Sequence, residues 1–350
     1  MTGVAAVRVW LASALLAGLA GLAACGVSDP TTDLLGCQSA YSDVKDVASA
    51  QLATIGLANA TVIVRVGGET KCRLFFGSND PSTPVPTVSA AKWLTAATLL
   101  AAVDRGLLQL DTRVVQHFPQ TPPTSADITV AQLLSHTSGL LWVSRCMGRA
   151  NYTLQTCAEQ ILGGDMHFAP GTGFFYSGPP FTVAGAMAER ATGLTWANLF
   201  RTTIADPLDM LTTSYGDSPN PALSEGAVVT TADEYAHFAQ MILDGGVYRT
   251  RRVLSAEAIR QMRRNWSGGL PITSSPRGQI AYGLGAWLDE VGADGTGTVL
   301  SSPGSGGFVP LVDYGRRMVV VFAAADDIGR IAPAIVAVLA SARAAVDQTK

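Results

Sequence analysis

Two of the four lysines in this chain follow a serine by three residues: Lys45 in SDVK after Ser42, and Lys92 in SAAK after Ser89. A serine hydroxyl is a weak nucleophile until a neighbouring base takes its proton, and a neutral amine one helical turn away can be that base. The surroundings separate the two pairs. Ser42 and Lys45 lie among Asp43, Asp46 and Gln51, a solvated stretch in which an ammonium keeps its proton. Ser89 and Lys92 open SAAKWLTAATLLAAVDRG, which is apolar almost all round. There the amine loses solvation and lies near the positive end of the helix dipole, and both effects favour its neutral form. Taken alone, the pair fits equally well a lysine snorkelling from a core helix beside an N-cap serine. No serine sits in G-x-S-x-G, so the strained strand-to-helix elbow of the α/β-hydrolases is absent.

The elements that must position this pair are readable in outline. After a helix at 41–56, NATVIVRVGG (59–68) and KCRLFFG predict a hairpin about a Gly-Gly turn. From residue 89 a buried helix runs to a glycine C-cap at Gly106, and helices dominate to about residue 240. Pro- and Gly-rich loops interrupt them at 119–126, 163–180 and 216–226. Helices at 232–244 and 255–265 follow. Beyond 280, YGLGAWLDEV, TVLSS, FVPLVDY and RMVVVFAAA read as strands, and 331–346 as an Ala-rich amphipathic helix. Strands at both ends of a helical middle predict an α/β (α+β) fold, an antiparallel sheet flanked by helices with an inserted all-helical subdomain. The sheet subdomain is expected to comprise 41–88 and 225–347, and the helical one 89–224. With 48% hydrophobic and 15% charged residues the chain can build a large core and is not a disordered one. A net charge of −3 leaves no basic stripe to neutralise a phosphate backbone, so no nucleic-acid partner is expected.

Further blocks carry a resemblance. They are the stretch from Ser89 through LLAAVDRGLLQLDTRVVQHFP to ITVAQLLSHTSGL (128–140), FFYSGPPFTVAGAMAERATGLTWANLF and ADPLDM (174–210), EGAVVTTADEYAHFAQMIL (225–243) and SSPGSGGFVPLVDYGRRMVVVF (301–322). Together, over roughly residues 41–345, they resemble the serine β-lactamase superfamily, in its branch of class C β-lactamases, D,D-peptidases and family VIII esterases. The resemblance implies a β-lactamase/transpeptidase-like fold and an acyl-enzyme mechanism without a cofactor. Ser89 would be the acylated nucleophile, Lys92 its general base, and Tyr176, at the Tyr of a Tyr-x-Asn motif, a proton shuttle to the leaving group. The oxyanion hole it implies joins the backbone N–H of Ser89 to that of Ser305. Two departures stand out. Gly178 occupies the Asn position, and Ser302, Pro303 and Gly304 replace Lys-Thr-Gly or His-x-Gly. Losing that cation or imidazole weakens recognition of a substrate carboxylate, and Pro303 has no N–H to donate. His136, in HTSG, matches a family stretch packed after the core helix and is expected to be structural. Asp233 and Glu189 read as helix-start or surface carboxylates.

Residues 1–25 combine Arg8, the apolar run VWLASALLAGLAGLAA and Cys25, the layout of an export signal. Its end, Leu22-Ala23-Ala24-Cys25, resembles a bacterial lipobox. That implies removal of 1–24, lipidation of Cys25, a tether over 25–40 and attachment to the extracytoplasmic face of the cell membrane. No later stretch is expected to span a bilayer, because IAPAIVAVLASARAAV is short and carries Arg343. With Cys25 set aside, Cys37, Cys72, Cys146 and Cys157 are an even number in an oxidising compartment, which predicts disulfides. Three connectivities are open, and Cys146–Cys157 across a short loop with Cys37–Cys72 is the favoured one. Metal binding is disfavoured: there is no CxxC, and His117, His136, His167 and His237 have no ligand spacing.

These readings converge on a surface-anchored serine hydrolase acting on an ester or cell-envelope amide, esterase-like rather than an efficient β-lactamase. Its substrate is expected to be a small molecule or derived from peptidoglycan. The alternative is a non-catalytic, penicillin-binding-like lipoprotein that binds peptidoglycan fragments.

Overall fold

In the computed structural model, which describes residues 35–141, 145–226, 228–278 and 281–349, the chain enters through a two-residue strand, β1 (Gly36–Cys37), and helix α1 (Ser42–Thr54). The signal segment 1–24, Cys25 and most of the 25–40 stretch lie outside the described residues. Strands β2 (Ala60–Val66) and β3 (Glu69–Phe76) then form the hairpin. Gly67 and Gly68 both take positive φ, 60° and 91°, the backbone of a tight turn whose twist matches the strands it joins.

Four strands from the far end of the chain complete the sheet: β4 (Trp287–Val291), β5 (Gly297–Ser301), β6 (Phe308–Asp313) and β7 (Met318–Ala323). All seven are antiparallel, in the order β1-β3-β2-β7-β6-β5-β4. β7 pairs with β2 from Thr61–Ala323 to Val66–Met318, so the two ends of the chain close around the helical middle. Side chains alternate between two cores with the period of a strand. Ile63, Val319 and Val321 face one side, packed with Trp93 of α2 (Ala91–Asp104) and Phe238. Val62, Val64, Val320 and Phe322 face the other, against Val44, Leu52 and Val338. Helix α3 (Pro179–Thr192) packs on α2, and α4 (Ala232–Leu243) covers β2, β6 and β7.

The terminal helix, α5, runs over Ile328–Gln348, longer at both ends than the sequence pattern indicated because Asp327 caps it by accepting from Gly329 and Arg330. By length and composition it could cross a membrane. Its stripe of Ile331, Ala334, Val338 and Ala342 is buried against the sheet and α1, however, and Arg343 pairs with Glu290 and Asp313. The segment YGLGAWLDEV is strand only from Trp287. Gly285 takes φ +79° and passes so close to α2 that a Cβ there would lie 2.6 Å from the Lys92 carbonyl oxygen, which leaves this stretch over the helix rather than in the sheet.

Among the described residues there are two disulfides, Cys37–Cys72 and Cys146–Cys157. The first joins residues already opposite one another on β1 and β3. The loops they close span 35 and 11 residues. On chain-entropy grounds these closures stabilise by about 4 and about 3 kcal/mol. Urea unfolding should therefore show a larger loss for the Cys37→Ser/Cys72→Ser double variant than for Cys146→Ser/Cys157→Ser. A reversed order would show that the bridges act through native packing instead.

Candidate active site

Ser89 lies on a single 3-10 turn, Val88–Ala90, that feeds α2. Thr87 fixes this turn: its N–H and Oγ1 donate to the Val228 carbonyl at 2.9 and 3.0 Å, and its own carbonyl accepts from Ala90 N–H at 3.0 Å. Between these anchors Val88 takes φ +47°. A β-branched residue in that region costs about 1–3 kcal/mol, so the surroundings must hold it there. They do so through the loop between β5 and β6. A Cβ on Gly304 would lie 2.2 Å from the Thr87 carbonyl oxygen, and one on Gly306 3.0 Å from Val88 Cγ2.

Lys92 is 2% exposed. Its Nζ lies 2.8 Å from the Ser224 carbonyl oxygen, 3.2 Å from Ser89 Oγ and 4.7 Å from the centre of the Tyr176 ring. The contact to a carbonyl requires nitrogen to donate, whereas the contact to a hydroxyl can run either way. As an ammonium, Lys92 serves all three with its hydrogens. As a neutral amine it keeps two hydrogens for the Ser224 carbonyl and the ring face and turns its lone pair to the Ser89 hydroxyl. One geometry therefore serves both ends of a proton transfer. Among the described residues, no carboxylate lies within ion-pairing distance of this amine.

Tyr176 is held by its backbone: its N–H donates to Ser274 at 3.0 Å, and the preceding Phe175 N–H donates to the His136 carbonyl at 2.9 Å. Its ring is stacked on Trp287 at 5.1 Å and tilted against His136 at 4.4 Å. Among the described residues its phenol makes no hydrogen bond, so Tyr176 meets Lys92 with its ring face. His136 is buried, and its Nδ1 accepts from Ser177 N–H at 3.2 Å. That bond places the ring proton on Nε2, which has no polar partner and stands among Phe174, Phe181 and Tyr282. Burial, reinforced by the charge of Lys92, pushes the His136 pKa well below the ordinary imidazole range. His136 thus positions the Tyr176-Ser177 backbone as a neutral ring.

The third-motif strand carries no cation. Ser302 Oγ is shared between the carbonyls of Ser89 and Gly285, each at 3.4 Å. Ser302 and Gly304 turn their N–H groups to Pro310 and Phe308 of β6. Pro303 has no N–H to offer, and Ser305, on the turn that follows, has an N–H with no partner among the described residues. Arg277 reaches Ser301 Oγ at 3.4 Å and lies over the Trp287 ring, but Asp289 pairs with it.

At the second departure, the space beside Gly178 is taken. A Cβ there would lie 2.6 Å from Glu225 Oε1, 2.6 Å from Met147 Cε and 2.7 Å from Ser224 Oγ. Sequence reasoning did not single out Ser224, Glu225, Tyr282 or Trp287, and of these only Glu225 falls within a resemblance block. The remaining candidates lie apart from this cluster. Asp233 pairs with Arg73 at 2.8 Å, Glu189 accepts from Trp196 N–H and Gln155, and Ser42 and Lys45 are exposed on α1. A hollow of about 440 Å³, lined by Phe118, Glu159 and Arg190 among others, has neither Ser89 nor Lys92 in its lining.

This fold agrees with what the motif blocks implied. The Beta-lactamase family model matches residues 44–340, and the chain belongs to that family. It is 29% identical over 216 residues to Penicillin-binding protein 4 of Amycolatopsis lactamdurans, covering 52% of this chain and 57% of that one. It is 30% identical over 209 residues to Esterase EstB of Burkholderia gladioli, covering 52% and 53%. The chain thus spans about half the length of these curated relatives. Among solved structures, a family VIII carboxylesterase superposes with TM-score 0.73 at 19% identity, covering 89% of this chain and 99% of that one. A penicillin-binding protein homolog from Caulobacter crescentus gives TM-score 0.72 at 19% identity, covering 88% and 99%. These two likenesses are of fold.

Two outcomes follow from the packing. The folded state keeps His136 neutral, whereas the unfolded chain protonates it below about pH 6.5, so the unfolded state binds the extra proton and stability falls as pH drops through that value. The thermal midpoint should be lower at about pH 5.5 than at about pH 7.5, and His136→Gln, which keeps an acceptor for Ser177, should show a smaller acid-side loss. An undiminished loss in that variant would place the titration elsewhere. Restoring the family residue with Gly178→Asn should destabilise by about 1–3 kcal/mol through overpacking, and adding Glu225→Ala should recover part of it. Strictly additive effects in denaturant titrations would show that Glu225 is not the obstacle.

Proposed function

We propose that this protein is a serine hydrolase, anchored outside the cell membrane, that forms an acyl-enzyme at Ser89 and acts on an ester in preference to a β-lactam or peptide. The observation that carries the reading is the buried Lys92 amine, 3.2 Å from Ser89 Oγ, with the Ser224 carbonyl fixing its direction. As Oγ adds to the acyl carbonyl, its proton passes to Lys92. The N–H groups of Ser89 and Ser305 stabilise the oxyanion. The ammonium so formed is steadied by the face of the Tyr176 ring and returns its proton to the departing alkoxide. Water then repeats the sequence and frees the acid.

The neutral Ser302 supports an ester over a substrate that needs its carboxylate anchored. So does the likeness to Esterase EstB and, in fold, to a carboxylesterase. A cell-envelope amide is the second substrate class. The lipobox-like Cys25 and the two disulfides support an exported, lipid-anchored protein in an oxidising compartment. Gly178 and Ser302 also favour a second reading, a non-catalytic lipoprotein that holds peptidoglycan fragments.

Intact-mass spectra after incubation with a fluorophosphonate probe and with a labelled penicillin separate the two. Wild type is expected to gain one probe mass, Ser89→Ala none, and Lys92→Ala should react at least about 100-fold more slowly. No adduct on wild type with either reagent would leave the binding reading.

A further inference from the structure

Glu225 fills space beside Gly178, but the proposed chemistry makes no use of its charge. Its Oε1 lies against Gly178, two residues beyond Tyr176, and its chain neighbour Ser224 supplies the carbonyl that holds Lys92. The side chain is half-buried, and among the described residues its carboxylate has no hydrogen bond or ion pair. Gly178 is the N-cap of α3, where a helix would ordinarily offer free N–H groups to an anion. Here the first two helical positions are Pro179 and Pro180, which have none. The carboxylate oxygens are therefore left with acceptor capacity that the fold does not fill.

The other charges nearby do not compensate. Lys92 is engaged by Ser224, Ser89 and the Tyr176 ring, and Arg277 is paired with Asp289. Ser302 is neutral. Relative to a site that anchors a carboxylate, this one has a neutral Ser302 in place of a cation and, beside Gly178, a carboxylate with no partner among the described residues.

Building on the serine-hydrolase reading, we propose that Glu225 is an ammonium-binding subsite that selects esters whose acyl portion bears a protonated amine. The same carboxylate repels acyl groups that carry a negative charge.

The test compares three p-nitrophenyl esters of matched size: the β-alaninate, which is cationic, the butanoate, which is neutral, and the hemisuccinate, which is anionic. Wild type should show kcat/KM falling in that order. Glu225→Gln, which keeps the shape and removes the charge, should lower the β-alaninate to butanoate ratio by about tenfold. Glu225→Lys should move the preference toward the hemisuccinate. A ratio identical in wild type and Glu225→Gln, or a wild type with no preference for the cationic ester, overturns the subsite while turnover and fluorophosphonate labelling of Ser89 still stand. Absence of both turnover and labelling removes the underlying hydrolase reading and the subsite with it.

Discussion

An amine removed from water without a counter-ion is the constraint around which this site is built. Taking such a group out of solvent costs several kcal/mol unless its hydrogens and lone pair are met. The partners of Lys92 come from three separate parts of the chain: the turn ahead of α2, the loop ahead of α3, and the segment that returns from the helical middle to the sheet. None of these places the amine alone. The site therefore exists only once the helical middle has closed on the sheet, which the pairing of β7 with β2 secures.

The parts of this arrangement that were legible in the sequence are those with a local signature. Ser89 and Lys92 share a helical face three residues apart in an apolar run, the Gly67–Gly68 turn declares its hairpin, and the β-branched strands near the C-terminus alternate as a two-faced sheet must. What escaped was long-range or chemically anonymous. The acceptor for Lys92 is a main-chain carbonyl, and any residue type at 224 would supply one. The box around Tyr176 draws His136, Tyr282 and Trp287 from distant segments whose meeting no spacing encodes. The short β4 escaped for a related reason: YGLGAWLDEV reads as strand throughout, but a Cβ at Gly283 or Gly285 would come within 2.0 Å of the Met262 carbonyl oxygen or 2.6 Å of that of Lys92, a crowding no local pattern announces.

The two departures from the family motifs look like losses when read as letters and like substitutions when read as volumes. The side chain missing at 178 is replaced in space by the carboxylate of Glu225 and the hydroxyl of Ser224. The long side chain missing at 302 leaves a hydroxyl that joins the Ser89 carbonyl to that of Gly285, tying the third-motif strand to the nucleophile's own backbone. A site drifting toward disuse would be expected to leave holes and stranded polar groups at such points. Here each change is matched in volume by a neighbour, while the Glu225 carboxylate that fills the space at 178 keeps unused acceptor capacity.

That matching explains how the pocket's polarity can change while its proton-transfer geometry stays. The path from Ser89 to Lys92 depends on a main-chain carbonyl, on the helix that sets their spacing, and on a strained turn clamped by Gly304 and Gly306. None of the three is a side chain at 178, 225 or 302, although 178 borders Ser224 and 302 touches the Ser89 carbonyl. The charge that meets a substrate, by contrast, is set by those side chains alone. Because the two sets of determinants are different groups, most plainly at 225, selection can rewrite which acyl groups enter without rebuilding the dyad that would attack them.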